Sequence, residues 1–280
     1  MTGYSNPRAL VEAEWLAEHI GDPDVAIVEV DEDTTAYEKG HIEGAVAINW
    51  AEELHDLPRR EFISSARLAE LLGSKGISSD QTIVLYGGNN NWFAAYAYWL
   101  FKMRGAEGVR LLNGGRKKWE VESRPMTQEE PAREPRDFQI GLEQPRLRIL
   151  RDEVLETARS HRASFVDVRA PEEFRGELLA PPHLPQEQAQ VPGHIPGAAN
   201  IPWAKAANED GSFRSAWELR ELYASQGITP ERAVITYCRI GERSSHSWFV
   251  LKELLGYPTV KNYDGSWTEY GSLVGAPVEL

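Results

Sequence analysis

The chain has a single cysteine, Cys238, among 280 residues. It can therefore form no internal disulfide and no zinc site built on several thiolates. Basic residues are also in short supply, 30 against 43 acidic ones, leaving a formal charge of −13 at pH 7. So negative a chain repels phosphate backbones and anionic headgroups, and is expected to bind neither nucleic acid nor a membrane surface. No apolar run approaches the ~18 residues needed to cross a bilayer. The opening residues, Met1 to Glu14, lack the apolar stretch of a secretion signal. A soluble, cytoplasmic protein is expected. Hydrophobic residues, at 41%, are enough for ordinary cores and too many for a disordered chain.

The length is about twice that of a usual domain, and the chain repeats itself. Offset by 138 residues, Val11, Glu14, Leu16 and Val28-Glu29-Val30 fall on Ile149, Asp152, Val154 and Val166-Asp167-Val168. Offset by 153, Gly40-His41-Ile42-Glu43-Gly44-Ala45 falls on Gly193-His194-Ile195-Pro196-Gly197-Ala198. Offset by 151, the stretch from Ser65 to Trp119 matches without a gap, placing Tyr86, Gly105, Val109 and Gly114 on Tyr237, Gly256, Val260 and Gly265. The change from 138 to 153 marks 15 extra residues in the second copy, Glu177 to Val191, expected to form a surface loop. The expected organisation is a first domain over 1–124, a proline-rich extended linker over 125–146 lying across both domains, and a second domain over 147–280.

Within the second copy, apolar spacing predicts helices over Arg151 to Ser160, Ala216 to Ala224 and Ser244 to Leu255, the last stopped by Gly256 and Pro258. Short β-rich runs predict strands over Ala163 to Val168, Gly197 to Ile201 and Ala233 to Tyr237. Such alternation implies an α/β fold, two tandem copies of a mostly parallel sheet with helices on both faces. In these sheets ligands sit beyond the carboxyl ends of strands.

That rule points to Cys238-Arg239-Ile240-Gly241-Glu242-Arg243, with Ser244 opening the next helix. A short turn from strand into helix directs several amides towards its centre, and such a concavity favours the thiolate of a cysteine placed in it. Arg239 and Arg243 add positive charge, which suits a nucleophilic sulfur meeting an anionic substrate. The first copy is an internal control. Its loop, Gly87-Gly88-Asn89-Asn90-Asn91-Trp92, has the same length and a compatible backbone, but neither nucleophile nor cations. The N-terminal domain is therefore expected to be catalytically inactive, and Gly87→Ala to leave the rate alone. His41 and His194 occupy matching positions and read as structural hydrogen-bonders, whereas His246, matched by Ala95, could tune the loop. Asp167 pairs with Glu29 in the repeat, which suggests a supporting role, orienting Arg169 or Arg243. The run Asp31-Glu32-Asp33 reads as a solvated strand end, not a metal site.

Taken together, the tandem copies, Gly193 to Ala198, the Asp167-Val168-Arg169 strand end, Tyr263-Asp264-Gly265-Ser266-Trp267 and the Cys-Arg-x-Gly-x-Arg loop resemble the rhodanese (thiosulfate sulfurtransferase) superfamily. The resemblance implies a Cys238 persulfide formed from thiosulfate with release of sulfite, then discharged to cyanide or a thiol, with no metal or organic cofactor. It implies that the loop from Arg239 through Ile240, Gly241, Glu242 and Arg243 to Ser244 binds the donor, with both arginines on its sulfonate oxygens. The animal two-domain enzymes carry a substrate-binding arginine where this chain has Glu173, a place Arg175 could fill. The alternatives are a mercaptopyruvate sulfurtransferase, disfavoured by Arg239 in place of a small residue, and a carrier handing persulfide to a protein acceptor. A phosphatase is disfavoured because only four residues separate Cys238 from Arg243.

Overall fold

The computed structural model describes residues 3–56, 59–180 and 188–280. The middle of the Glu177 to Val191 insertion, 181–187, lies outside the described residues. The chain divides into two compact units. One comprises Arg8–Pro145 with Ala207–Phe213, the other Arg146–Ala206 and Arg214–Leu280 with residues 3–7.

The N-terminal unit contains strands β1 (Leu10–Val11), β2 (Val25–Glu29), β3 (Val46–Ala47), β4 (His55–Asp56), β5 (Glu61–Phe62), β6 (Thr82–Tyr86) and β7 (Val109–Leu112). Its helices are α1 (Ala13–Glu18), α2 (Ala36–Lys39), α3 (Trp50–Glu53), α4 (Ser65–Ser74), α5 (Trp92–Arg104) and α6 (Gly115–Val121). Five strands form a parallel sheet in the order β1-β7-β6-β2-β3, and β4 and β5 make a separate antiparallel pair. β2 and β6 are almost uninterrupted apolar runs, buried along their length, as strands covered on both faces must be. The proline-rich stretch runs along this unit in extended form: Thr127 bridges to His41, Arg136 N–H donates to Gly73 O, and Gly141 N–H to Gly105 O.

The C-terminal unit repeats the plan with β8 (Ser164–Asp167), β9 (Ala199–Asn200), β10 (Val234–Tyr237) and β11 (Val260–Tyr263), all parallel in the order β11-β10-β8-β9. Its helices are α7 (Arg151–Ser160), α8 (Pro171–Phe174), α9 (Ala216–Ala224), α10 (Glu242–Phe249) and α11 (Ser266–Tyr270). Helices α7 and α9 have the bounds their apolar spacing predicts, and Ser215 with Glu218 forms a capping box at the start of α9. Helix α10 departs from expectation at both ends. It begins at Glu242, two residues early, because Gly241 makes the turn, and from Val250 to Leu254 it widens into a π-helix, with Leu255 N–H donating to Val250 O. Ser5 and Asn6 N–H groups donate to Leu254 O and Glu253 O at 2.7 and 3.0 Å, tying the chain's start to the end of that helix.

The repeat extends to individual bonds. Tyr86 Oη accepts from Ile42 N–H, and Tyr237 Oη from Ile195 N–H, each at 3.1 Å. His41 Nδ1 lies 3.0 Å from Tyr37 O with its ring stacked on Tyr37, and His194 Nδ1 lies 2.9 Å from Phe174 O with its ring stacked on Phe174. Each core also holds a buried carboxylate paired with a guanidinium, fully buried in the second unit and largely buried in the first, though from different places in the chain. Arg116 pairs with Glu29 and donates to Gly40 O in the first unit, while Arg169 pairs with Asp167 and donates to Gly193 O in the second. Asp31 corrects the sequence expectation. It is not solvated but buried, accepting from Gly88 N–H at 2.5 Å and lying 3.7 Å from Arg116. On the surface, Asp33 pairs with Lys39 and Glu32 accepts from Asn89 Nδ2.

Candidate active site

Cys238 follows the last residue of β10, the strand flanked by β8 and β11. That sheet order brings the loops after three strands together. Cys238 N–H donates to Ser266 Oγ at 3.1 Å, and Ser266 Oγ–H donates to Tyr263 O at 2.6 Å. Trp267 N–H donates to Cys238 O, and Thr268 holds Arg239 O through both its N–H and its hydroxyl. Ser266 has φ of +51°, an uncommon conformation for a side chain with a Cβ; its equivalent in the first unit is Gly115, φ +54°. The hydroxyl that supports Cys238 thus occupies a strained backbone position.

Gly241 shapes the turn. Its N–H donates to Cys238 Sγ at 3.1 Å, and its φ is +107°, open mainly to glycine. A Cβ here would lie 2.8 Å from Asp264 Cα, and Asp264 is itself clamped by Arg148 through bonds of 2.7 and 2.9 Å. The Gly241 carbonyl accepts from Ser244 Oγ, Ser245 Oγ and Asn262 Nδ2 at 3.0, 2.8 and 3.1 Å. With its carbonyl held from three sides, the neighbouring amide stays aimed at the sulfur. Cys238 has no exposed surface, and the buried residues that follow it in the loop, Arg239, Glu242, Arg243 and Ser244, are polar.

The charges around the thiol are all buried. Arg243 donates from both Nη atoms to the two oxygens of Glu173, at 2.9 and 3.1 Å. Burial pushes the Glu173 carboxyl up, but the bonds and charge of Arg243, the Ala170 N–H and Arg169 together hold it below the usual carboxylate range. Burial pulls Arg243 down, but the Glu173 bond, Cys238 and Asp167 more than reverse that. Arg239 is lowered by burial and by Arg243, partly offset by Cys238, Glu173 and Glu242; a guanidinium so perturbed is still charged at neutral pH. Asp167 bonds to Arg169 rather than to Arg243, accepting from Nε and Nη2, and Arg169 packs over the Trp267 ring at 4.8 Å. Ser244 and His246 are buried in the first turns of α10, where His246 meets Trp203 edge-on. Ile240 is half-buried. Arg175 is half-exposed at the end of α8, and its bonds go to Glu177, with Glu172 nearby, not to the loop.

Sequence reasoning did not assign Ser266, Asn262, Thr268 or Asp264 to the loop's support, nor Glu173 to Arg243. Ser266 and Asp264 lay within a motif already singled out, which was the available signal. The first unit's loop also differs from expectation, because its backbone does not keep the same shape. Asn89, Asn90 and Asn91 all have positive φ, and Asn91 Oδ1 accepts from Gly87 N–H at 3.0 Å. A Cβ on Gly87 would lie 2.3 Å from Val30 O. A cysteine could not stand there without moving the strand end.

Comparison with known proteins fits this geometry. Residues 12–122 and 150–273 each match the profile of the rhodanese-like domain. A Mycolicibacterium smegmatis protein provisionally named thiosulfate sulfurtransferase is 56% identical over 271 residues, covering 97% of both chains. A Thermus thermophilus protein named sulfur carrier protein TtuD is 54% identical, covering 99% of this chain and 98% of its own. Among solved structures, the anaerobic ergothioneine biosynthesis enzyme from Chlorobium limicola superposes with a TM-score of 0.84 at 25% identity, over 99% of this chain and 71% of that one. Among the described residues, no helix is long and apolar enough to cross a membrane.

Proposed function

The chain belongs to the rhodanese-like family, with two such domains and sulfurtransferase relatives along nearly its whole length; on that premise we propose that it transfers sulfane sulfur through a persulfide on Cys238. The observation that carries the reading is the 3.1 Å bond from Gly241 N–H to Cys238 Sγ, within a loop bearing Arg239 and Arg243. An amide fixed on the sulfur before reaction stabilises negative charge there without reorganising, first on the thiolate and then on the persulfide.

With thiosulfate as donor, the Cys238 thiolate attacks the outer sulfur, the S–S bond of thiosulfate breaks, and sulfite leaves with the bonding pair. One thiolate and one dianion become one persulfide anion and one dianion, so charge balances. Cyanide or a thiol then attacks the outer persulfide sulfur, returning the Cys238 thiolate. Asp167 acts at a distance, by fixing Arg169, and the N-terminal domain lacks the nucleophile at Gly87. A second reading, delivery of the persulfide to a protein acceptor, is supported by the Thermus thermophilus relative named as a sulfur carrier. Cys238→Ser tests both readings. Sulfur transfer from any donor to cyanide or to a thiol is abolished while the thermal unfolding midpoint stays close to that of the unmodified chain; substantial residual transfer would overturn the assignment.

A further inference from the structure

We propose that Glu173 sets the charge of the donor this site accepts, favouring sulfur donors with one negative charge, thiosulfonates and hydropersulfides, over dianionic thiosulfate. The proposal rests on the persulfide reading of Cys238 and narrows its substrate class. Arg243 sits in the first turn of α10 and would be the natural partner for a donor's second charge. Both of its Nη atoms are instead bonded to Glu173. The carboxylate cannot swing aside easily, because Glu173 Oε2 also accepts from Ala170 N–H at 3.1 Å and its side chain is fully buried.

Counted together, the buried charged groups around the sulfur are Arg239 and Arg243 against Glu173, Glu242 and the Cys238 thiolate, a balance of one negative charge, to which His246, also buried there, adds nothing as a neutral imidazole. The adjacent Asp167–Arg169 pair is neutral and leaves that balance unchanged. A dianion meets this charge with twice the repulsion felt by a monoanion of similar shape. Inside the protein, salt does little to screen the difference.

Methanethiosulfonate and thiosulfate differ by a methyl in place of one charged oxygen, and both deliver a terminal sulfur: the thiolate takes it, and methanesulfinate or sulfite leaves with the electron pair. The test compares kcat/KM for these two donors, with cyanide as acceptor, in the unmodified enzyme and in Glu173→Gln. The variant removes one negative charge and keeps the side chain's shape. The preference for thiosulfate relative to methanethiosulfonate is expected to rise at least about ten-fold. A loss of packing would slow both donors together, so an unchanged ratio overturns the proposal. A second measurement needs neither the variant nor sulfur transfer. In the unmodified protein, methanesulfonate is expected to protect Cys238 from alkylation at concentrations at least about ten-fold lower than sulfate; equal protection, or better protection by sulfate, overturns it. If no donor loads Cys238, the persulfide reading fails, while the protection experiment, repeated on Glu173→Gln, still decides the charge preference: the advantage of methanesulfonate over sulfate is expected to shrink in the variant, and an unchanged advantage overturns the role of Glu173.

Discussion

Gly241→Ala tests the loop where its geometry is most constrained. The residue must hold φ near +107°, which costs a side chain about 1–2 kcal/mol. The new Cβ would also sit 2.8 Å from Asp264 Cα, a backbone atom, in a residue pinned by Arg148. The contact is relieved by rotating the turn, and rotation carries the amide away from Cys238 Sγ. A hydrogen bond to a charged partner contributes about 1.5–3 kcal/mol. The loss of transition-state stabilisation is therefore about 3 kcal/mol, or roughly a hundred-fold in the rate of persulfide formation. Stopped-flow measurement of single-turnover sulfur loading, with circular dichroism to confirm folding, reads this directly. A folded variant loading sulfur within about three-fold of the parent rate would refute the argument that the amide at 3.1 Å supports the reaction.

Asp167→Asn breaks a fully buried pair with Arg169 and is expected to destabilise the chain by about 3 kcal/mol, read in urea unfolding; an unmoved midpoint would count against that pair as a support. Gly87→Ala is expected to destabilise the N-terminal unit by about 2 kcal/mol, since its Cβ would meet Val30 O, yet the folded fraction still loads sulfur on Cys238. If Gly87→Ala is as stable as the parent, the first loop is looser than described. Acid should act oppositely on the two units. Glu173 is held below the usual carboxylate range, so its contribution to stability is complete above about pH 4.3 and disappears as pH falls through its folded value. Glu29 and Asp31 are raised, chiefly by burial, so what they contribute is present at lower pH and fades as pH rises through their folded values. Unfolding followed from pH 3 to 7 should show the stability gap between the parent and Glu173→Gln closing towards acid. A gap that stays constant would contradict the sign.

The duplicated architecture was legible because local requirements repeat. Strands buried on both faces need apolar runs, the turn at Gly40 and Gly193 needs a positive φ, and the tyrosines at 86 and 237 each satisfy one buried amide. Cys238 was legible for a similar reason, since a strand ending directly before a helix is a local event. The partners of the loop were not. Glu173 lies 70 residues before Arg243, and Ser266 lies 28 after Cys238. Both are brought in by β10 running between β8 and β11, an order that periodicity does not encode. The expectation that Arg243 would hold a donor's oxygens came with the family resemblance, which carries no information on the carboxylate of Glu173 that the folded chain sets against it. The asparagine loop of the first unit resembled the second only in length. Three successive positive-φ residues and the Asn91 side chain set it apart.

The most direct measurement is the intact mass of the protein after exposure to a sulfane-sulfur donor and removal of the excess. The account predicts a gain of one sulfur atom on the parent chain, located on Cys238, lost again on treatment with cyanide, and absent in Cys238→Ser. A mass left unchanged by both thiosulfate and methanethiosulfonate, or a gain that survives in Cys238→Ser, would contradict it.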